Sequence, residues 1–349
     1  MMQPAGLIIG VVLGSMFATG SEPSASAFPS RRQELTPQGR ESLQLGEIPF
    51  KIVYETYRPT DGKQNWELYT IKADGSEMTN LTNTPDVDEM YPHVSPDGTK
   101  ICFVVDEGRG RQRVRHVYYM NADGTGRVHV AAHARQPCWC FDSKSIAYCN
   151  DEYKRYSTRE YATSGVTLYH LEGSWSRPHR NAELHHLYAL CWGPYGKWFL
   201  GVVHGGMGFS DTILAFEAFG TGVFDLERYQ VKGCRPDLNA DGTRMVWGET
   251  DWNLCTAEID LTGAEPVVTN VREIVRCRRI SKVYHVDFSP DGKYIVFSYG
   301  PVFGGQQVGG KAKGWDLCIG DLDGRWVQIT TDGLHNKEPD WMPIPKIKP

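Results

Sequence analysis

Apolar and polar residues alternate along this chain in short runs separated by Gly, Pro and Asp, and one unit recurs at intervals of about 45–53 residues. The unit is a short apolar strand, a Pro-Asp-Gly-type turn, a second strand, then a third strand ending in Gly. Its clearest copies are MYPHVSPDGTKICFVV, turning at Ser95-Pro96-Asp97-Gly98, and YHVDFSPDGKYIVFSY, turning at Ser289-Pro290-Asp291-Gly292. Looser copies are QPCWCFDSKSIAYC around Asp142, ALCWGPYGKWFLGVV around Tyr195 and CRPDLNADGTRMVW around Asp241. KEPDWMPIP ends the series at Trp341. The alternation in ELYTI and HVYYM is what half-buried strands require. The pairs Asp74-Gly75 and Asp123-Gly124 supply the positive φ of tight hairpins. Strand-rich repeats of this length predict the blades of a β-propeller.

Each unit maps onto a four-stranded blade. The innermost strand precedes the turn (Pro92 to Val94), the second follows it (Ile101 to Val105), and the third ends in Gly. The outer strand comes next, near Leu81 in one unit and Ile329 in another. The two ends of the chain are out of phase with this repeat. KIVYE, from Lys51, reads as a second strand without an inner one, and EPDWM, from Glu338, as an inner strand without a blade. Pairing the two removes two bare sheet edges. The expected fold is therefore all-β: a six-bladed β-propeller of four-stranded blades over residues 48–345, closed by its N- and C-terminal strands.

The N-terminus reads as an export signal over residues 1–27. Leu7 to Ala18 is an apolar run, and Ala25-Ser26-Ala27 is an A-x-A cleavage site, although no Lys or Arg precedes the run. A polar stretch without periodicity, residues 28–47, follows as a linker. The expected location is periplasmic or secreted, with no transmembrane domain in the mature chain. The net charge of −5 and the scattered Lys and Arg exclude a nucleic-acid partner. Nine Cys is an odd number without cystine spacing or a CxxC pair, and Cys102, Cys149, Cys255 and Cys318 sit in strand patterns. They read as buried thiols rather than disulfides or a zinc ribbon.

The segments YPHVSPDGTKICF, ELYTIKADGSEMTNLT and EPDWMP resemble the repeats of the TolB-type propeller family, and the resemblance covers about residues 48–345. It implies architecture rather than activity. The same repeat serves periplasmic scaffolds, propellers fused to peptidases, and polysaccharide lyases such as oligogalacturonate lyase. The partner expected from it is an envelope protein or a polysaccharide.

Aligned on their turns, the inner strands place His93, Cys138, Cys191, Asp237, Asp287 and Asp340 in one ring. Two residues earlier, on the same side by period-two alternation, stand Tyr91, Gln136, Ala189, Arg235, His285 and Glu338. Four second-to-third connections, about Tyr54–Asn65, Asp106–Arg115, Asn150–Gly165 and Gly300–Gly314, read as long loops on one face. The expected primary role is binding of protein or glycan. The alternative is a metal-assisted uronate lyase, which needs a base, a carboxylate neutraliser and an acid. Its candidate catalytic residues are His93, Tyr91, Arg235, His285 and His335, with Tyr284 nearby. A divalent metal in the channel would fall to His93, His285, His335 and Asp340. The competing expectation for these residues is a wet channel wall.

Overall fold

The computed structural model describes residues 42–154, 156–302, 311 and 313–343; the expected export segment lies outside the described residues. Strands β1 (Lys51–Thr60), β2 (Lys63–Lys72) and β3 (Thr79–Asn80) begin the first blade. The second blade is β4 (Asp88–Val94), β5 (Lys100–Glu107), β6 (Val114–Asn121) and β7 (Val128–Ala132). The third is β8 (Ala134–Trp139), β9 (Ser145–Asp151), β10 (Thr163–His170) and β11 (Trp175–Pro178). The fourth is β12 (Leu187–Trp192), β13 (Trp198–His204), β14 (Asp211–Glu217) and β15 (Val223–Asp225). The fifth is β16 (Cys234–Leu238), β17 (Arg244–Thr250), β18 (Asn253–Asp260) and β19 (Val267–Arg276). The sixth is β20 (Ser281–Phe288), β21 (Tyr294–Pro301), β22 (Asp316–Asp321) and β23 (Trp326–Gln328).

β24 (Asn336–Met342) returns to the first blade as its inner strand and pairs antiparallel with β1, Ile52 opposite Trp341 and Val53 opposite Asp340. The chain is thus a six-bladed β-propeller closed by its terminal strands, as the phase mismatch of its ends predicts. Apolar wedges between adjacent blades hold the ring together. Trp198, Leu200, Met245 and Trp247 join the fourth and fifth blades. Ile52, Tyr54, Val296 and Leu317 join the first and sixth. Leu43 and Leu45, at the end of the stretch expected to be a linker, are buried in that same wedge.

The Pro-Asp-Gly turns are built by local hydrogen bonds. Asp97 Oδ1 accepts from Ser95 Oγ at 2.7 Å and from Thr99 N at 3.0 Å, and Gly98 takes φ +70°. A side chain at 98 would meet the carbonyl oxygen of Pro343, so Gly serves both conformation and close approach here. Asp291 repeats the pattern with Ser289 Oγ at 2.7 Å.

Not every connection expected to be a loop is one. Tyr54–Asn65 continues as β1 and β2 around a tight Asp61-Gly62 turn, because its alternating residues pair across the hairpin, Tyr57 opposite Trp66. The second-blade loop shortens to residues 108–113 and the third-blade loop to residues 152–162. All nine cysteines are free; eight are buried and Cys234 is half-buried. Among the described residues, no helix is long and apolar enough to cross a membrane.

Candidate functional site

Every inner strand carries the same irregularity. Tyr91, Gln136, Ala189, Arg235, His285 and Glu338 all adopt positive φ, between 48° and 55°. In each strand the register against its neighbour slips at that point. Non-glycine residues seldom sit in this region, and a bulge there re-aims the side chain. Simple alternation grouped the two rings correctly, but the backbone between them is not regular. The intervening Pro92, Pro137, Leu190, Pro236, Val286 and Pro339 also face the channel.

The channel so lined is small. It encloses a cavity of about 80 Å³, room for several waters but far below the roughly 300 Å³ at which small-molecule sites begin. Its interior is a buried charge network. Glu338 accepts from Arg235 Nη1 at 2.8 Å and lies 3.0 Å from His285 Nε2. Arg235 Nη2 reaches Glu160 at 2.8 Å, and Tyr91 donates its hydroxyl to the same carboxylate at 3.0 Å. Glu160 comes from the loop between β9 and β10, so the third blade stops the mouth of the channel with a carboxylate. Next to this group, Lys337 Nζ lies 2.9 Å from Glu55, and Glu55 also accepts from Tyr91 N at 2.7 Å.

Charge states follow from burial and pairing. Burial alone would raise Glu338, but Arg235 and His285 outweigh it and hold the carboxyl at about 2. Burial lowers His285 to about 4 against the opposing pull of Glu338, so the ring is neutral at pH 7. The ring of His93 behaves differently. Burial raises Asp340 to about 7 although Val94 N donates to it at 2.6 Å. Burial likewise raises Asp237 to about 6, opposed by its bond from Phe288 N at 2.8 Å. Asp287 is raised by burial and by its carboxylate neighbours. The bonds to Val94 and Phe288 stitch β24 to β4 and β16 to β20.

The sequence candidates therefore separate. Tyr91, Arg235 and His285 meet through Glu338 and Glu160. His93 stands one ring away, its Nδ1 4.0 Å from Asp340 Oδ2. His335 is not in the channel: it lies against the rings of Tyr57 at 5.4 Å and Trp66 at 6.0 Å, because β24 enters the blade only after it. Tyr284 donates to Asp251 at the rim. Three expectations need correction. His285 is 3% exposed and hydrogen-bonded to Ser298 at 3.0 Å, not wet. Arg235 has a carboxylate on each side and does not await an anionic ligand. A shared metal at His93, His285, His335 and Asp340 does not fit, since these four occupy three separate places. Among the described residues, no group of three or more His, Cys, Asp or Glu is placed to hold a metal. Glu160 and Glu55 went unnoticed in the sequence because neither belongs to an inner strand. Their only signal was a carboxylate inside an otherwise irregular loop or an apolar strand.

A second feature lies at the opposite end, among the turns joining inner to second and third to outer strands. Tyr195 is 66% exposed, and Phe141 and Phe219 are each 45% exposed. Phe141 and Phe219 lie at the junction of the third and fourth blades, and the Tyr195 hydroxyl donates to Asp241 O in the fifth blade at 3.4 Å. Phe141 covers Gly196, where a side chain would come within 2.5 Å of its ring. Arg177 sits 5.1 Å over Phe219.

No family model matches the chain, and no curated protein matches it. Solved structures do. TolB from Acinetobacter baumannii is similar at 19% identity and a TM-score of 0.61, covering 87% of this chain and 70% of that one. A putative TolB from Agrobacterium tumefaciens is similar at 15% identity and a TM-score of 0.54, covering 84% of this chain and 99% of that one. The chain has the TolB-like six-bladed propeller fold. An oligogalacturonate lyase in complex with manganese reaches a TM-score of only 0.45, at 14% identity over 70% of this chain and 72% of that one, and lends the lyase reading no support.

Proposed function

We propose that this chain is an exported, periplasmic or secreted binding module that engages an envelope protein through the face carrying Phe141, Tyr195 and Phe219. The observation that carries this reading is the exposure of Phe141, Tyr195 and Phe219 on turns of one face, over the third and fourth blades. Aromatic side chains ringed by polar residues and an Arg are the composition of interface centres. The channel offers less. Arg235, Tyr91 and His285 are already held by protein carboxylates, which takes away the neutraliser and two of the acid–base candidates that lyase chemistry needs.

A photo-crosslinking residue at position 195, introduced in cells, tests the reading. Capture of one discrete protein, lost in a Phe141→Ser/Phe219→Ser variant that melts normally, is the expected result. Binding to acidic polysaccharide instead, or release of unsaturated uronates detected by absorbance, overturns the protein-binding reading in favour of a glycan ligand or a lyase.

A further inference from the structure

The outer edge of the second blade holds a histidine pair that the channel and the aromatic face do not involve. His116 lies on β6 and His129 on the edge strand β7. Register between the two strands runs His116 to Ala132 and Val117 to Ala131, then jumps to Tyr118 opposite His129. Val130 is the extra residue of a β-bulge. Were the register to run on without the slip, Tyr118 would face Val130 and His129 would point to the other side of the sheet. With it, His129 shares a face with His116 and Tyr118, and His116 Nδ1 and His129 Nε2 stand 3.1 Å apart. The Tyr118 ring packs edge-on against His129 with centroids 5.0 Å apart, and its hydroxyl donates to Glu107 at 3.1 Å. The pair is thus held on one side by an anchored ring and is open to solvent on the other.

We propose that His116 and His129 form a two-imidazole surface site for a divalent transition metal, Cu²⁺ in preference to Ni²⁺ or Zn²⁺. A metal at the usual distance of about 2.0–2.1 Å from each nitrogen sees a 3.1 Å separation at an angle of about 100°. That lies between the square-planar or octahedral right angle and the tetrahedral value, so the nitrogens are spaced as adjacent ligands, and binding exchanges the N–H···N hydrogen bond between the rings for two metal–nitrogen bonds. Imidazole nitrogen suits these metals, and affinity follows the order that places Cu²⁺ first. Two protein ligands leave the remaining positions to water. The other close pair, His185 Nδ1 and His186 Nδ1 at 2.6 Å, requires an angle of only about 80° at the same bond length and does not fit as it stands.

The test is calorimetric titration of CuCl₂ into the full chain and into His116→Ala, His129→Ala and His185→Ala, with electron paramagnetic resonance of the 1:1 complex. The proposal expects one tightest site with two-nitrogen imidazole hyperfine structure. It expects at least a tenfold loss of affinity in either of the first two variants and no change in His185→Ala. Both substitutions lie on an edge, half-buried or exposed, where the fold tolerates them. Deleting Val130 takes out the extra residue and leaves His129 opposite Tyr118, on the face of His116, so the two-nitrogen spectrum should survive in a protein that still melts cooperatively. Absence of binding at millimolar Cu²⁺, or affinity unchanged by His116→Ala or His129→Ala, overturns the assignment.

Discussion

Arg235 spans the channel to Glu160 at 2.8 Å while its other terminal nitrogen holds Glu338 at 2.8 Å. One guanidinium thus ties the fifth blade to a loop of the third and to the closing strand of the first. Arg suits this position because its fork satisfies two carboxylates at once; burial opposes its charge, and the two carboxylates outweigh burial and keep it firmly charged.

Removing the cation should hurt more than removing one anion. Arg235→Leu leaves Glu160 and Glu338 facing each other in a buried space, and is expected to cost about 3–5 kcal/mol. Glu160→Gln keeps a one-to-one pair between Arg235 and Glu338 and should cost about 1–2 kcal/mol. Urea denaturation of both variants checks the ranking. A reversed order would mean that the Glu160 loop, not the arginine, organises the mouth.

Ring closure carries a second prediction. β24 supplies Trp341 to the wedge between first and sixth blades, Asp340 to Val94 N and Lys337 to Glu55. Ending the chain at residue 335 bares the edge of β1 and strands Glu55 without its cation. The truncated protein should lose at least ~10 °C in melting temperature, or fail to fold cooperatively. Scanning calorimetry decides, and an unchanged transition would place closure elsewhere.

The architecture was legible because turns and strands repeat. Asp97 and Asp291 sit in turns their own sequence dictates, so the blades could be counted and the out-of-phase ends joined. Asp291→Ala should cost about 1 kcal/mol in a melting experiment and leave partner capture unchanged. The site was legible only in part. Inner-strand alignment found both rings of the channel, since register repeats with the blade. It could not show that the rings pair internally, because Glu160 reaches them from an irregular loop and Glu55 from a neighbouring strand. His335 was grouped with His285 by sequence proximity to an inner strand, yet the strand starts one residue later and leaves it outside against Tyr57.

The thiols give a test that needs no variant. Eight cysteines are buried, and the half-buried Cys234 is pushed up to about 11 by burial, so little of it is thiolate at pH 8. Ellman's reagent should label essentially none of the thiols of the native protein within minutes and all nine in guanidinium. Fast labelling of several in the native state would contradict the packing of the inter-blade wedges.

The His93 ring predicts a pH dependence of definite sign. Asp237, Asp287 and Asp340 face one another there with His93 as the only ring partner able to carry positive charge. Asp340 titrates at about 7 in the folded protein against an ordinary 3.8. A carboxyl raised on folding binds more protons in the native state than in the unfolded one between those values. Its contribution to stability is therefore complete below about pH 4 and is lost as pH rises through 7. Asparagine at this position keeps an acceptor for Val94 N and removes the charge. Asp340→Asn should consequently be more stable than the parent by about 1 kcal/mol or more at pH 8. The advantage should shrink steadily toward pH 4.5, where the parent carboxyl is mostly protonated. Urea titrations at pH 4.5, 6 and 8 measure the difference. If Asp340→Asn were less stable at pH 8, the carboxylate would be held ionised by a cation, and the ring would be a charged site rather than a proton-sharing seam between blades.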